Sequence, residues 1–399
     1  MQKRTLSVKA KMPQVDGLRK LRDLLSSDLH SKFVRRYGKI LYLLDINVQV
    51  DALTALLQFY DPPMRCFTFQ DFQLAPTLEE FGEIFGYPLE KDKPYCYLGH
   101  YTSISKIIEI LGVDQNTLER KRPKGHSGFR RSFFEERALV FALKKDWDAF
   151  MEVLALIIFG VIIFPRDEEI IDLPAIDVFL AFKNRGENPT HAVLADMYYS
   201  FNYCYEKKGK KIICCLPALY VWMINLMFNP GFRRSCPIDV FHDCDVKKKT
   251  RQEWGETLVN LNEYTVKWYQ RGREINEVIF QCGNYPNVPL MGTKGCINYN
   301  PVLALRQLGI PIVKEPEPSL LTPLVVYDLD IENIETLRTI QNCWKNVIRK
   351  GNELRFTGNR RNTYQPWLKK RVEDIKLPFQ NLLKTVEEIA SQSSRVNEQ

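Results

Sequence analysis

The sequence predicts a mainly α protein, a compact multi-helix globular fold with a small β-hairpin near residues 65–75. Three observations predict it. Two apolar segments between Asn188 and Gly231 read as back-to-back helices. Apolar residues recur at helical spacing along most of the chain, and strand-like alternation is confined to one short aromatic stretch, Arg65 to Leu74. The composition, 45% hydrophobic and 26% charged over 399 residues, is that of an ordinary globular protein.

Taken in order, residues 1–30 are polar and basic and form an N-terminal arm with a short helix around Leu18 to Leu25. A helical core of residues 31–312 follows. From Lys32 a helical pattern carries Phe33, Tyr37, Leu41, Leu44, Leu53, Leu57 and Tyr60 until Asp61-Pro62-Pro63 ends it. The expected hairpin comes next. Thr77 then caps a helix with Glu79 and Glu80 in its first turn, Phe81, Ile84 and Phe85 facing inward, and Gly86-Tyr87-Pro88 closing it. Residues 91–101 are a tyrosine-rich loop. Helices are expected around Ser103 to Leu111, from Asp114, from Ser132 to Leu143, from Asp148 to Phe164, and from Asp172 to Lys183.

The central pair follows. Its first helix opens at Asn188-Pro189, carries Ala192, Leu194, Met197, Tyr198, Phe201 and Tyr205, and ends before Gly209. The second runs from Pro217 through Trp222 to Phe228 and is apolar on nearly every face, so it is buried in protein or in lipid. Length decides. Twelve residues make about 18 Å of helix against a hydrocarbon core of about 30 Å, which favours a protein interior and no membrane partner.

Trp254 to Tyr269 returns to helical spacing, Gln281 to Asn300 reads as a Gly-, Asn- and Pro-rich loop, and Pro301 to Leu308 as a short helix. Residues 313–323 form a Pro-rich linker. Residues 324–390 hold amphipathic helices at Ile334 to Lys350 and Phe379 to Ala390 flanking a basic segment that packs on or beside the core, and residues 391–399 a frayed tail.

The net charge of +8 is local. Residues 345–372 hold nine Lys or Arg against one acid, Glu353, so the other residues sum to zero. A neutral body with one basic segment points to an anionic partner, a nucleic acid or an acidic protein. Lys345, Arg349, Lys350, Arg355, Arg360, Arg361, Lys369, Lys370 and Arg371 interleave with Trp344, Phe356, Tyr364 and Trp367. Cations for phosphates beside aromatics for bases suit sequence-tolerant nucleic-acid binding. The competing reading is a solvated face whose aromatics dock on the core. A second basic loop carries Arg120, Lys121, Arg122, Lys124, Arg130 and Arg131, as a further patch or a nuclear-import signal.

Little else points to chemistry. Ten cysteines at irregular spacings, with no Cys-x-x-Cys, fit a reducing compartment, and the opening Met1-Gln2-Lys3-Arg4 leads into no apolar signal region. Cys236, His242, Asp243, Cys244 and Asp245 form the one metal-capable cluster, but Cys282 and Cys296 are too scattered to complete a zinc site. No phosphate-binding loop, dinucleotide fingerprint, nucleophile elbow or His-Glu-x-x-His motif is present, so no catalytic residue, cofactor or metal is expected. Two other readings stay open. Asp243, Asp245, Asp328 and Asp330 would serve a metal-dependent, transposase-like nuclease, and the loop from Tyr95 to Tyr101 would serve a pure protein scaffold.

Several stretches resemble a known family. Tyr60-Asp61-Pro62-Pro63-Met64-Arg65-Cys66-Phe67-Thr68-Phe69, Asp71 to Phe81, Leu216 to Trp222, Tyr299 to Gly309, and Tyr364-x-x-Trp367 with Arg371 near Leu377-Pro378-Phe379 are similar to legume proteins of unknown function allied to the plant mobile domain. That resemblance implies a transposon-derived module, nuclear rather than cytoplasmic, working alongside protein partners; joined to the basic segment, it makes a non-enzymatic interaction module binding nucleic acid or protein the first reading. It implies no catalytic residues.

Overall fold

The computed structural model describes residues 5–87, 89, 93–101, 104–208, 210–228, 238–239, 241, 246–268, 277–329, 331–355 and 361–378. The helix expected at Phe379 to Ala390 and the tail at 391–399 lie outside them.

The first third is built from short helices. α1 (Asp16–Arg22) and α2 (Ser27–Tyr37) bury Leu18, Leu21, Phe33 and Tyr37. The pattern from Lys32 to Tyr60 is not one helix: α2 stops at Gly38, a 3-10 turn spans Ile40–Asp45, and α3 (Val50–Leu56) follows. Gly38 sits at φ +69°, and a Cβ there would lie 2.3 Å from the Phe85 carbonyl oxygen. Close approach to the backbone at Phe85 therefore breaks the run where spacing alone would continue it.

The expected hairpin forms the last two strands of a three-stranded antiparallel meander, β1 (Tyr60–Asp61), β2 (Cys66–Thr68) and β3 (Gln73–Leu74), with Tyr60 opposite Phe67 and Phe67 opposite Leu74. α4 (Leu78–Phe85) starts as expected, the Thr77 hydroxyl accepting from Glu80 N at 3.2 Å, and ends at left-handed Gly86. α5 (Ile104–Leu111) and α6 (Gln115–Arg120), capped by Asp114, lead to β4 (Gly128–Arg130) and α7 (Arg131–Leu143). α8 (Trp147–Ile158) is capped by Asp146, two residues earlier than Asp148, which instead pairs with Lys32 at 2.8 Å. β5 (Ile170–Asp172) pairs with β4, and Asp172 caps α9 (Leu173–Leu180).

α10 (Thr190–Glu206) and α11 (Leu216–Met227) are the dry centre. All twelve residues of α11 are buried, Trp222 completely, and no helix among the described residues is long and apolar enough to cross a membrane. One buried carboxylate knits this centre together. Glu80 Oε2 accepts from Trp222 Nε1 at 2.9 Å, Gln307 Nε2 at 2.6 Å and Thr77 Oγ1 at 3.2 Å, joining three segments far apart in the chain. Multiple donors are what make so buried an acid tolerable, and removing it would leave their N–H groups unsatisfied.

α12 (Arg251–Val259), opened by a Thr250/Glu253 capping box, stops at Val259 where the sequence reading carries helical spacing on to Tyr269, and from here the structure departs further. The stretch read as a loop, Gln281 to Asn300, takes in the end of β6 (Val278–Cys282) and all of β7 (Val288–Met291) and β8 (Gly295–Tyr299). β8 pairs with β7 and with β9 (Val325–Tyr327). Their partners are distant or short, and Pro289 obscures the pattern. Pro289 is tolerated because β7 is an edge strand of its sheet. Likewise α13 (Ile334–Cys343) ends seven residues before Lys350. Val347 and Ile348, β-branched residues, continue as β10 (Val347–Lys350), antiparallel to β6 with a bulge between Ile348 and Arg349. α14 (Tyr364–Ile375) closes the described chain. The protein is thus mainly helical with several small antiparallel sheets rather than one hairpin.

One apolar cluster runs from Val8 to Leu377, through both members of the central pair and into Tyr364, Leu368 and Val372 of α14. The N-terminal stretch is pinned too: Lys9 bridges in parallel to Lys211, Ile212 N donates to the Lys9 carbonyl at 2.8 Å, and Leu6 N donates to Gln58 Oε1 at 2.8 Å.

Candidate functional site

The basic stretch identified from sequence is divided between structure and solvent. Trp344 is buried, donates its indole N–H to the Pro289 carbonyl at 2.8 Å and meets the His191 ring edge-on. Tyr364 is buried with its hydroxyl on Gln73 Oε1, and the half-buried Trp367 lies 5.8 Å from it between ring centroids. Arg349 donates to the Leu89 carbonyl at 2.8 Å, and Lys350 lies 4.0 Å over the Phe280 ring. Arg355 is half-buried. Arg371 makes a two-pronged pair with Asp61, 2.8 and 2.5 Å, where the carboxylate is almost wholly enclosed. Lys345, Arg361, Lys369 and Lys370 remain exposed, while Arg360 and Phe356 lie outside the described residues. The aromatics expected to stack on bases are therefore largely turned to the core.

The second basic loop is similarly split. Arg131 is buried against Glu135 at 2.8 Å, and Lys121 covers the Phe133 ring near Glu136. Arg120, Arg122, Lys124 and Arg130 are exposed. This loop is carried by α6, β4 and α7, whereas the C-terminal stretch is seated on β6 and on the meander, so the two are built on different parts of the frame.

A further concavity lies elsewhere, a cleft of about 650 Å³ framed by tyrosines and cations. The C-terminal half of α10 forms one wall. Tyr199, Tyr203 and Lys207 recur every four residues and so share a face. The rings of Tyr199 and Tyr203 lie nearly parallel, 6.3 Å between centroids, and Tyr327 at the end of β9 meets Tyr199 edge-on at 5.6 Å. Opposite stand Tyr97 and Tyr101, 5.0 Å apart between centroids. Arg166, Lys211 and Lys294 add positive charge; Glu206 and Asp328 are the carboxylates in the lining.

Buried polar contacts fix this geometry. Asp196, on the inner side of α10, accepts from Thr293 N at 2.8 Å and from the Thr293 hydroxyl at 2.5 Å, and lies 3.7 Å from Lys294 Nζ. The β7–β8 turn is thereby clamped to the helix. Gly292 lets it come that close, since a Cβ there would fall 2.2 Å from Asp196 Oδ1. Lys294 also donates to the Ile213 carbonyl at 2.8 Å. Asn202 Nδ2 donates to Glu206 Oε1 at 2.7 Å and to the Tyr327 hydroxyl at 3.1 Å. Burial, then the hydrogen bond to Glu206, pushes the Tyr327 phenol up to about 12. Burial first, then Asp328 beside Tyr199 and the Tyr97 phenol beside Tyr101, raises these two to about 12 as well. These phenols stay neutral near pH 7, able to stack and to donate. Asp328 adopts φ +65°, an uncommon backbone for a non-glycine residue, at the cleft rim.

The other expected sites fare differently. Among the described residues no group of three or more His, Cys, Asp or Glu could hold a metal ion. Cys236, His242, Asp243, Cys244, Asp245 and Asp330 lie outside the described residues. Near Asp328, Asn333 Nδ2 donates to the Tyr327 carbonyl at 3.1 Å. In the tyrosine-rich loop Tyr95 is buried on Asp177, so only Tyr97 and Tyr101 of its tyrosines are available, and both face the cleft. Sequence reasoning missed Tyr199, Tyr203 and Tyr327. The usable signal was the Tyr199/Tyr203/Lys207 spacing, which falls off the apolar face carrying Met197, Phe201 and Cys204.

Residues 18–373 match the family model DUF7745, described as a domain of unknown function. No curated protein matches the chain, and no solved structure matches it.

Proposed function

The chain belongs to the DUF7745 family, and we propose that it is a non-enzymatic interaction module that holds single-stranded nucleic acid in its tyrosine-lined cleft. The observation that carries this reading is the meeting of Tyr97, Tyr101, Tyr199, Tyr203 and Tyr327 with Arg166, Lys207, Lys211 and Lys294 around one opening. Every base has a π face that a tyrosine ring can stack against, and every linkage a phosphate that a lysine can neutralise. Glu206 and Asp328 offer acceptors for exocyclic amines or sugar hydroxyls. The exposed cations Lys345, Arg361, Lys369 and Lys370 of the C-terminal stretch contribute charge rather than stacking. The resemblance to the plant mobile domain supports the finer reading of a transposon-derived protein acting in the nucleus, with Arg120, Arg122 and Lys124 as the accessible basic residues for import.

Fluorescence anisotropy with a labelled single strand and a duplex of the same sequence, each over a salt series, tests the proposal. The single strand binds more tightly than the duplex, and log K falls with log salt by about 0.7 per phosphate contacted. Equal affinity for both forms, or a flat salt response, defeats it.

A further inference from the structure

We propose that the bound strand does not end in the cleft but leaves it across Lys211 and runs along a second, basic groove beneath the N-terminal arm. This inference rests on the single-strand reading above and extends its footprint. Lys211 lines the tyrosine cleft and also a separate groove of about 500 Å³ between residues 8–11, α3 and α12. That groove is more one-sided in charge than the cleft: Lys9, Lys11, Lys211 and Arg251 stand against Asp51. A small recess shares Lys211 with both, Lys11 with the groove and Arg166 with the cleft, so cations link one to the other, although Asp167 and Glu168 also line the recess.

The groove is held in place rather than incidental. Val8 is buried, Lys9 is bridged in parallel to Lys211, and Arg251 Nη2 donates to the Leu6 carbonyl at 2.8 Å. The backbone of the arm is thereby fixed while the Lys9 side chain reaches solvent, and Lys11 stays two-thirds exposed despite its 2.8 Å pair with Glu168. Among the described residues no tyrosine lines this groove. Its chemistry therefore suits a sugar–phosphate backbone passing through, with base stacking confined to the cleft.

Length dependence tests this directly. Oligothymidylates of about three and about fifteen nucleotides are titrated against the full chain and two variants. In the wild type the long strand binds at least tenfold more tightly. Lys9→Glu with Lys11→Glu erases most of that gain, makes the salt slope shallower by about 1.4, and leaves the short strand unaffected. Tyr203→Ala weakens both lengths. Matching melting temperatures confirm that the variants fold, and Lys9→Gln with Lys11→Gln gives a milder form of the same result. If Tyr203→Ala weakens binding but the two lengths bind alike, or charge reversal leaves the long strand unchanged, the track is wrong and the cleft reading stands. If neither length binds at low salt, both fall. Polyglutamate competing through Lys9 and Lys11 as well as the long strand does would overturn the assignment to nucleic acid.

Discussion

The C-terminal basic stretch and the tyrosine cleft are opposites. The stretch is contiguous in sequence and conspicuous in charge, yet the fold draws much of it inward: Arg371 onto Asp61, Arg349 onto the Leu89 carbonyl, Trp344 and Tyr364 into the core. The cleft is scattered over several segments between Tyr97 and Leu329, shows no charge run, and leaves its rings half open. A run of charge reports what a chain carries, whereas a site depends on which side chains packing leaves facing solvent together. The contrast implies that substitutions in the stretch act first on stability and those in the cleft first on binding.

The largest effect is expected at Arg371. Arg371→Ala strands the Asp61 carboxylate, whose side chain is 1% exposed, and costs about 3–5 kcal/mol. A urea midpoint lowered at unchanged slope is the readout, and a loss under about 1 kcal/mol would move the pair from structure to surface and break the contrast.

Next comes Glu79, which ties α4 to β6, the strand that seats β10. Its Oε1 accepts from Ile279 N at 2.8 Å, and its Oε2 is buried without a hydrogen-bond partner among the described residues. Burial pushes its carboxyl from 4.5 to about 7. The folded protein then holds this proton more tightly than the unfolded chain. The contribution is most favourable below pH 4.5, declines as pH rises towards 7, and is level above it, a change of about 3 kcal/mol. Glu79→Gln should flatten that part of the stability profile; an unchanged profile would assign the decline to other groups.

Smaller effects separate the two regions more finely. Tyr203→Ala removes a half-buried ring and should weaken single-strand binding by about 1–3 kcal/mol while melting shifts little. Equal losses in both would make Tyr203 a packing residue. Lys369→Glu with Lys370→Glu, both exposed, should change stability by no more than about 0.5 kcal/mol, checked by the same urea titration; a larger loss would mean that these lysines too are part of the frame.

How much of this was legible follows from the same distinction. The central pair was, because Leu216 to Met227 is apolar on every face and too short to span a bilayer. The caps at Thr77, Asp114 and Asp172 were, because capping is a local event. The strands from Val278 to Tyr299 were not, since β6 pairs with residues near 350 and β8 with residues near 326, and nothing in a short window announces such partners. The end of α13 at Cys343 was missed for the same reason. Arg371 looked like a phosphate ligand until Asp61, which read only as a helix stop, proved to be its partner. The cleft left traces in Tyr97, Tyr101 and the Tyr199/Tyr203 spacing, but only the β7–β8 turn clamped by Asp196 and the position of Tyr327 make them one site.

Photo-crosslinking places the bound strand most directly. A single-stranded oligonucleotide carrying a photoreactive base is irradiated on the full chain, and the modified residues are mapped by mass spectrometry. The account predicts adducts on Tyr199, Tyr203 or Tyr327. Adducts confined to Trp367 and the lysines beside it would contradict it and return recognition to the C-terminal stretch.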